Sequence, residues 1–125
     1  MPSTILFVDD EPEVLGILRK TFPPQEGYEA LSAGSGEEAL AVLERRPVDL
    51  LVTDQRMPGM TGIELVSRAH ERWPDLCAIL LTAYTDPRET VEAINRGEVY
   101  RYLTKPWENA ALRQAVLRAL EQVDL

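Results

Sequence analysis

Two patterns alternate strictly along this chain, and that alternation constrains the fold more than any other feature. Short, continuous apolar runs recur, separated by stretches of helical periodicity. Thr4-Ile-Leu-Phe-Val8, Val48-Asp-Leu-Leu-Val-Thr53 and Leu76-Cys-Ala-Ile-Leu-Leu-Thr82 are the apolar runs. A strand that is apolar at nearly every position has no side to turn to water. It belongs in a sheet covered on both faces, which is the condition of parallel sheets. Tyr28–Ala33 and Val99–Leu103 also read as strands, but both carry polar residues and are expected nearer the sheet edges.

The intervening segments carry helix start signals. Ser35-Gly-Glu-Glu38 and Thr61-Gly-Ile-Glu64 each match a capping box. Asp86-Pro-Arg-Glu89 does so too, with Pro87 at the first helical position, and Pro12 plays the same part for a helix running through Phe22. In the last segment Leu112, Ala115, Val116, Ala119, Leu120 and Val123 recur at helical spacing, giving one apolar and one polar face. The order is βαβαβαβαβα. Such alternation with short links predicts an α/β fold, a five-stranded parallel sheet between helical layers. Right-handed crossovers restrict the topology, and 2-1-3-4-5 is the expected doubly wound order. No repeat, linker or low-complexity stretch interrupts the pattern, so residues 1–125 are expected to form a single domain.

The bulk properties bound the function. At 125 residues the chain suits one domain, against roughly 100–200 residues per domain, and 45% hydrophobic residues suffice for a core. A net charge of -8 and a pI near 4.6 argue against binding nucleic acid or an anionic membrane directly. The N-terminus lacks a basic region followed by an apolar one, so no signal peptide is expected. The apolar runs are too short to span a bilayer, and a cytoplasmic location is expected. The one cysteine, Cys77, sits in an apolar run and reads as a buried, inert thiol.

In doubly wound sheets, ligands bind beyond the carboxyl ends of the strands where the strand order reverses. Here that crevice lies between the first and third strands. Asp9 and Asp10 end the first, and Asp54 ends the third. Two carboxylates about 4 Å apart repel by about 4 kcal/mol at an effective dielectric near 20, so the cluster must take up protons or a cation. An all-oxygen site of this charge suits Mg²⁺; zinc is disfavoured by one cysteine and one histidine without ligand spacing. A single Asp after a strand is commonly just a helix N-cap, but the doublet together with Asp54 is not explained that way. Thr82 ends the fourth strand and Lys105 follows the fifth. Alone, one is a capping residue and the other a solvated lysine. On successive strand ends beside three carboxylates, they complete the parts needed for phosphoryl transfer to an aspartate.

These residues carry a resemblance. Val8-Asp9-Asp10-Glu11, Asp54-Gln-Arg-Met57-Pro58-Gly-Met60-Thr-Gly62, Leu81-Thr82-Ala83 and Lys105-Pro106 stand in an order and spacing that closely resemble the receiver domains of bacterial two-component response regulators. The likeness runs from about Ile5 to Leu120. It implies the flavodoxin-like, CheY-like fold. It also implies a phosphoacceptor role for Asp54, which would take a phosphoryl group from a sensor histidine kinase or a phosphotransfer protein. Asp10 and Asp54 would bind Mg²⁺ directly (Mn²⁺ can substitute) together with the main-chain carbonyl of Arg56, and Asp9 would hold the metal through water. Thr82, Ala83 and Lys105 would bind the phosphoryl group, and the Lys105–Pro106 peptide would be cis. Tyr102 would be the switch aromatic, swinging as Thr82 moves inward. Tyr100 lies on the same side by strand alternation and is not separated from it by pattern. The readout surface would be the fourth helix, fifth strand and fifth helix, roughly Pro87 to Val123, through which the chain could also form a homodimer. Arg56 and Tyr84 would flank the site and tune the lifetime of the phosphoryl group.

The segments around Asp54 and from Ile94 to Trp107 look like one receiver subgroup, whose longer members carry cyclic-di-GMP phosphodiesterase (HD-GYP) or transcription-activating output domains. The chain is therefore expected to be a receiver standing alone or one separated from its output domain. Beyond its own phosphorylation and dephosphorylation no catalysis is expected. A haloacid-dehalogenase-like phosphatase is the competing enzyme reading; its acid–base Asp follows the nucleophile by two residues on the first strand, where this chain has adjacent acids and Glu11. A degenerate receiver acting only as a protein-binding module is the other alternative. A flavin protein of the same fold would need a phosphate-cradling loop where Asp9, Asp10 and Glu11 stand. His70 is expected to be exposed or capping, Trp73 to pack, and Trp107 to pack near the site.

Overall fold

A computed structural model describes residues 2–82, 92 and 94–123. Five strands form one parallel sheet: β1 (Ser3–Val8), β2 (Tyr28–Ala33), β3 (Leu50–Asp54), β4 (Cys77–Thr82) and β5 (Arg101–Thr104). Their spatial order is β2-β1-β3-β4-β5, and every neighbouring pair is parallel. Between them run α1 (Pro12–Thr21), α2 (Gly36–Arg45) and α3 (Gly62–Arg72), and the C-terminal helix Asn109–Val123 closes the chain. The topology is that of the CheY-like doubly wound fold.

Strand periodicity divides the core in two. Leu6, Val8, Leu51 and Leu80 point to one face, where Ala39 and Leu43 of α2 and Leu65, Val66 and Ala69 of α3 cover them. Ile5, Phe7, Leu50, Val52, Ile79 and Leu81 point to the other, under Leu15 and Leu18 of α1 and Leu112, Ala115, Val116 and Ala119 of the C-terminal helix. The three apolar runs are thus buried on both sides. Phe22 extends the second core, lying 5.6 Å from the Phe7 ring and edge-on to Tyr28 at 5.2 Å. Edge-to-face aromatic pairs add about 0.5–1.5 kcal/mol beyond area burial.

The local signals act in different ways. Ser35 Oγ accepts from the Glu38 backbone N–H at 3.1 Å, as a capping box requires. The Glu38 carboxylate, however, accepts from Gly34 N–H at 2.9 Å, one residue before the cap. Thr61 caps α3 by accepting from Glu64 N–H at 3.2 Å. Pro12 starts α1 without a side-chain cap from Glu11. β5 starts at Arg101, later than the apolar pattern suggests, because Val99 is drawn into the core beneath it and Tyr100 N–H bonds to Ala78 carbonyl at 2.8 Å before regular pairing begins. The expected helix opening at Asp86 and Pro87 lies largely outside the described residues. Its end is seen where Arg96 N–H reaches Glu92 carbonyl and Gly97 turns the chain at φ +78°. No helix among the described residues is long and apolar enough to cross a membrane.

Candidate functional site

Side-chain parity at the carboxyl edge of the sheet builds the site. Asp9 follows Ile5 and Phe7 at two-residue steps, and Asp54 follows Leu50 and Val52, so both extend the face covered by α1 and the C-terminal helix. Lys105 has the same parity as Leu103, which packs on that face. Thr82 and Tyr102 have the opposite parity, shared with Leu80. Asp9, Asp54 and Lys105 therefore converge on one side of the edge, and Thr82 stands on the other.

One carboxylate oxygen from each of Asp9, Asp10 and Asp54 lies within 4.8 Å of the other two. Asp9 and Asp54 are buried, and Asp10 is exposed. Lys105 Nζ stands 3.1 Å from Asp9 Oδ2 and 3.3 Å from Asp54 Oδ1. The second oxygen of Asp9 accepts from Glu11 N–H at 2.9 Å, which fixes the turn into α1. Burial raises the Asp54 carboxyl above its ordinary range; Lys105 opposes that shift and the charge of Asp9 adds to it. Burial also disfavours the charged Lys105, but its hydrogen bond to Asp9 and the charges of Asp54 and Asp9 outweigh burial, so its pKa is raised. Lys105 is the internal counter-ion of the acids. Three hard oxygen donors with no thiolate or imidazole among them fit Mg²⁺, which takes one or two carboxylates and keeps waters.

The remaining expected residues are distributed around this cluster. Thr82 is fully buried at the end of β4, and its carbonyl accepts from Lys105 N–H at 2.8 Å. The Lys105–Pro106 peptide is cis. A cavity of 590 Å³ opens over Asp54, lined also by Glu11, Arg56, Lys105, Pro106 and Trp107. Tyr102 lies on β5 in register with Leu80, while Tyr100 precedes the strand. The two are 40% and 39% exposed, so burial does not separate them. Ala83 and Tyr84 lie outside the described residues. His70 is half-buried rather than exposed; its Nδ1 is shielded and makes no hydrogen bond among the described residues. Trp73 packs against the α2–α3 core with the Arg72 guanidinium 4.7 Å above its ring.

Two residues that sequence reasoning did not single out hold the Asp54 loop. Gln55 N–H donates to Leu81 carbonyl at 3.0 Å, Gln55 carbonyl accepts from Gly62 N–H at 3.0 Å, and Gln55 Oε1 accepts from Ile63 N–H at 2.9 Å. Gly62 packs so closely that a Cβ there would lie 2.3 Å from the Asp54 carbonyl oxygen. Both stand in the Asp54–Gly62 motif that carries the receiver resemblance, but that motif gave neither of them a role.

The model of the response regulator receiver domain family matches residues 5–117. The chain belongs to this family. The hydrogenase transcriptional regulatory protein HoxA of Cupriavidus necator is 39% identical over 119 residues, covering 95% of this chain and 24% of that protein. The receiver thus spans about a quarter of that curated relative. Among solved structures, the signal receiver domain of an HD domain-containing protein from Pseudomonas fluorescens Pf-5 superposes with a TM-score of 0.92 at 36% identity, covering 99% of this chain and 98% of that one. The response regulator protein TrrA of Thermotoga maritima, solved in complex with Mg²⁺–BeF, superposes at 0.82 with 32% identity, covering 94% and 98%. The receiver is accordingly a two-component signalling domain, a class that works with histidine kinases and output domains.

Proposed function

We propose that the receiver accepts a phosphoryl group on Asp54 from a phosphohistidine donor and passes the event to a partner through the surface spanning Pro87 to Val123. The observation that carries this is the buried Asp54 carboxylate, open to a cavity and faced by Asp9, Asp10 and Lys105. An Asp54 oxygen attacks phosphorus as the donor's P–N bond breaks. Asp10 and Asp54, with the Arg56 carbonyl, would hold Mg²⁺, and Asp9 would hold it through water. When bound, the metal neutralises charge on the transferring oxygens. Lys105 exchanges part of its contact with Asp54 for a phosphoryl oxygen, a charge-assisted bond. Thr82 donates its hydroxyl to another oxygen, and Ala83 contributes to the same group. Tyr102 shares the face of Thr82 and follows its inward movement.

Residues 1–125 act as one cytoplasmic receiver domain whose only catalysis is its own phosphorylation and dephosphorylation, and Mn²⁺ replaces Mg²⁺. The relatives named for transcriptional regulation and the HD-domain neighbour support an output of one of those two kinds, and a homodimer through the same surface is compatible with it. Arg56 and Tyr84 slow hydrolysis by restricting water at the acyl phosphate.

The test is incubation with acetyl phosphate and Mg²⁺ followed by intact-mass measurement of wild type and Asp54→Asn. One phosphoryl adduct on wild type and none on the variant is expected. No adduct on wild type, or equal adducts on both, defeats the proposal. Continuous turnover of a small phosphoester would favour the phosphatase alternative.

A further inference from the structure

The first turn of α3 is tied to the residue that follows Asp54. A helix begins with backbone N–H groups that have no intrahelical partner. In α3 Gly62 N–H goes to Gln55 carbonyl, Ile63 N–H to Gln55 Oε1, and Glu64 N–H to Thr61 Oγ1. Two of these three orphan donors thus belong to one residue, seven and eight positions upstream. The same Gln55 donates its own N–H to Leu81 carbonyl on β4. Gln55 therefore closes the loop from 55 to 62 on itself and pins it to the strand that ends in Thr82. The loop is further anchored by the buried Met57 and Met60.

Arg56 lies inside this closed loop, next to Gln55. A main-chain carbonyl cannot be aimed by choosing a rotamer. Its direction is set by the backbone on either side, and here that backbone is held by the Gln55 bonds. From this geometry we infer that the Gln55 side chain is a positioning residue for the metal-binding loop, acting on the Arg56 carbonyl and the Asp54 backbone through α3. This rests on the proposed metal-dependent function. The backbone bonds of Gln55 are available to any residue, but the side-chain bond is not. It requires an acceptor at the end of a glutamine-length stem. Without it the partly buried Ile63 N–H has no partner, and the start of α3 is free to draw away from the loop. Groups that orient metal ligands at one remove typically affect affinity by about 10–100-fold. Because one main-chain ligand is affected, the lower end applies.

The experiment measures Mn²⁺ binding directly, by water-proton relaxation, on the unphosphorylated protein. Gln55→Met keeps length and removes the acceptor; Gln55→Ser cannot reach Ile63; Gln55→Glu keeps an oxygen at the same reach. Thr61→Ala removes a cap from the same helix turn without touching the Gln55 bonds. Both acceptor-less variants are expected to bind Mn²⁺ about tenfold more weakly, Gln55→Glu to bind as tightly as wild type, and Thr61→Ala to lose urea stability with its Mn²⁺ affinity unchanged. Gln55→Met and Gln55→Ser that bind like wild type overturn the inference alone. So does a Thr61→Ala that weakens binding as much, since Gln55 is then only a helix cap. Wild type that binds no Mn²⁺ overturns the proposed function, and the inference with it.

Discussion

Replacing Gly62 with alanine is the sharpest single-atom test of how the site is built. The added Cβ would stand 2.3 Å from the Asp54 carbonyl oxygen, 2.8 Å from Leu80 Cδ1 and 3.1 Å from the Asp54 carbonyl carbon. A carbon and a carbonyl oxygen settle no closer than about 3.3 Å even in weak hydrogen-bonded contacts. Roughly 1 Å of displacement is therefore required. Two of the three obstructing atoms are backbone, so no rotamer change relieves them. Overpacking costs typically about 1–3 kcal/mol, and a backbone obstruction belongs at the upper end. Alanine returns up to about 1 kcal/mol through helix propensity, leaving a net loss of about 2 kcal/mol, or roughly 8 °C in Tm for a domain of this size. Gly16 is the control: it lies within α1 with nothing inside 4 Å of an added Cβ. Gly16→Ala should stabilise by about 0.5–1 kcal/mol. The displaced atom at Gly62 belongs to Asp54, so chemistry should suffer with stability. A misplacement of about 1 Å can cost on the order of 100-fold in rate. Urea unfolding and the rate of labelling by acetyl phosphate, run on both variants, decide the matter. If Gly62→Ala matches Gly16→Ala in stability and wild type in labelling, the close approach does not exist in solution.

Lys105→Met leaves Asp9 and Asp54 facing each other without their cation, and should cost about 3 kcal/mol at pH 7. The raised Asp54 carboxyl makes the sign definite: folded protein is favoured below the ordinary carboxylate pKa and loses that advantage as pH rises through the raised value. The variant should therefore recover most of its urea stability on acidification towards pH 4; a pH-independent deficit would contradict this. In wild type the stability supplied by Lys105 persists below its ordinary pKa and is lost only as pH rises through its raised one, which an alkaline unfolding titration will show. Burial pushes the Cys77 thiol up to about 11, so Ellman's reagent at pH 8 should modify native protein far more slowly than urea-unfolded protein, and equal rates would show the thiol to be accessible. Arg56→Ala combined with Tyr84→Ala should speed loss of the phosphoryl group, followed by intact mass after removing the donor; an unchanged half-life would remove these side chains from any shielding role.

The sequence made the sheet legible where burial is complete. A run such as Leu50–Val52, apolar at consecutive positions, has only one physical home, between two layers of helices. The convergence of Asp9, Asp10 and Asp54 followed from strand ends and topology alone. β5 was harder to bound, because its residues are mostly exposed and the buried Val99 lies just outside it. The contacts of Lys105 with both acids could be expected in kind but not in distance. Gln55 could not be anticipated, since its partners are main-chain N–H groups of a helix that begins seven residues later, and no side-chain pattern encodes them. His70, expected to be exposed or capping, is half-buried with its Nδ1 shielded; helical periodicity says which face a residue occupies, not whether its ring nitrogen is shielded.

The bond between Lys105 and Asp9 joins residues 96 apart in the chain, just beyond the ends of two strands that are not neighbours: β3 and β4 lie between β1 and β5. Contacts of such long range form late, since loop closure must precede them. A nascent or partly folded chain holds its three acids without their cation, and such a cluster repels both a dianionic donor and its own carboxylates. The lysine arrives only when the fifth strand docks. On the proposed function, the acids would gain their cation, and with it the means to take up a phosphoryl group, only in the completed fold.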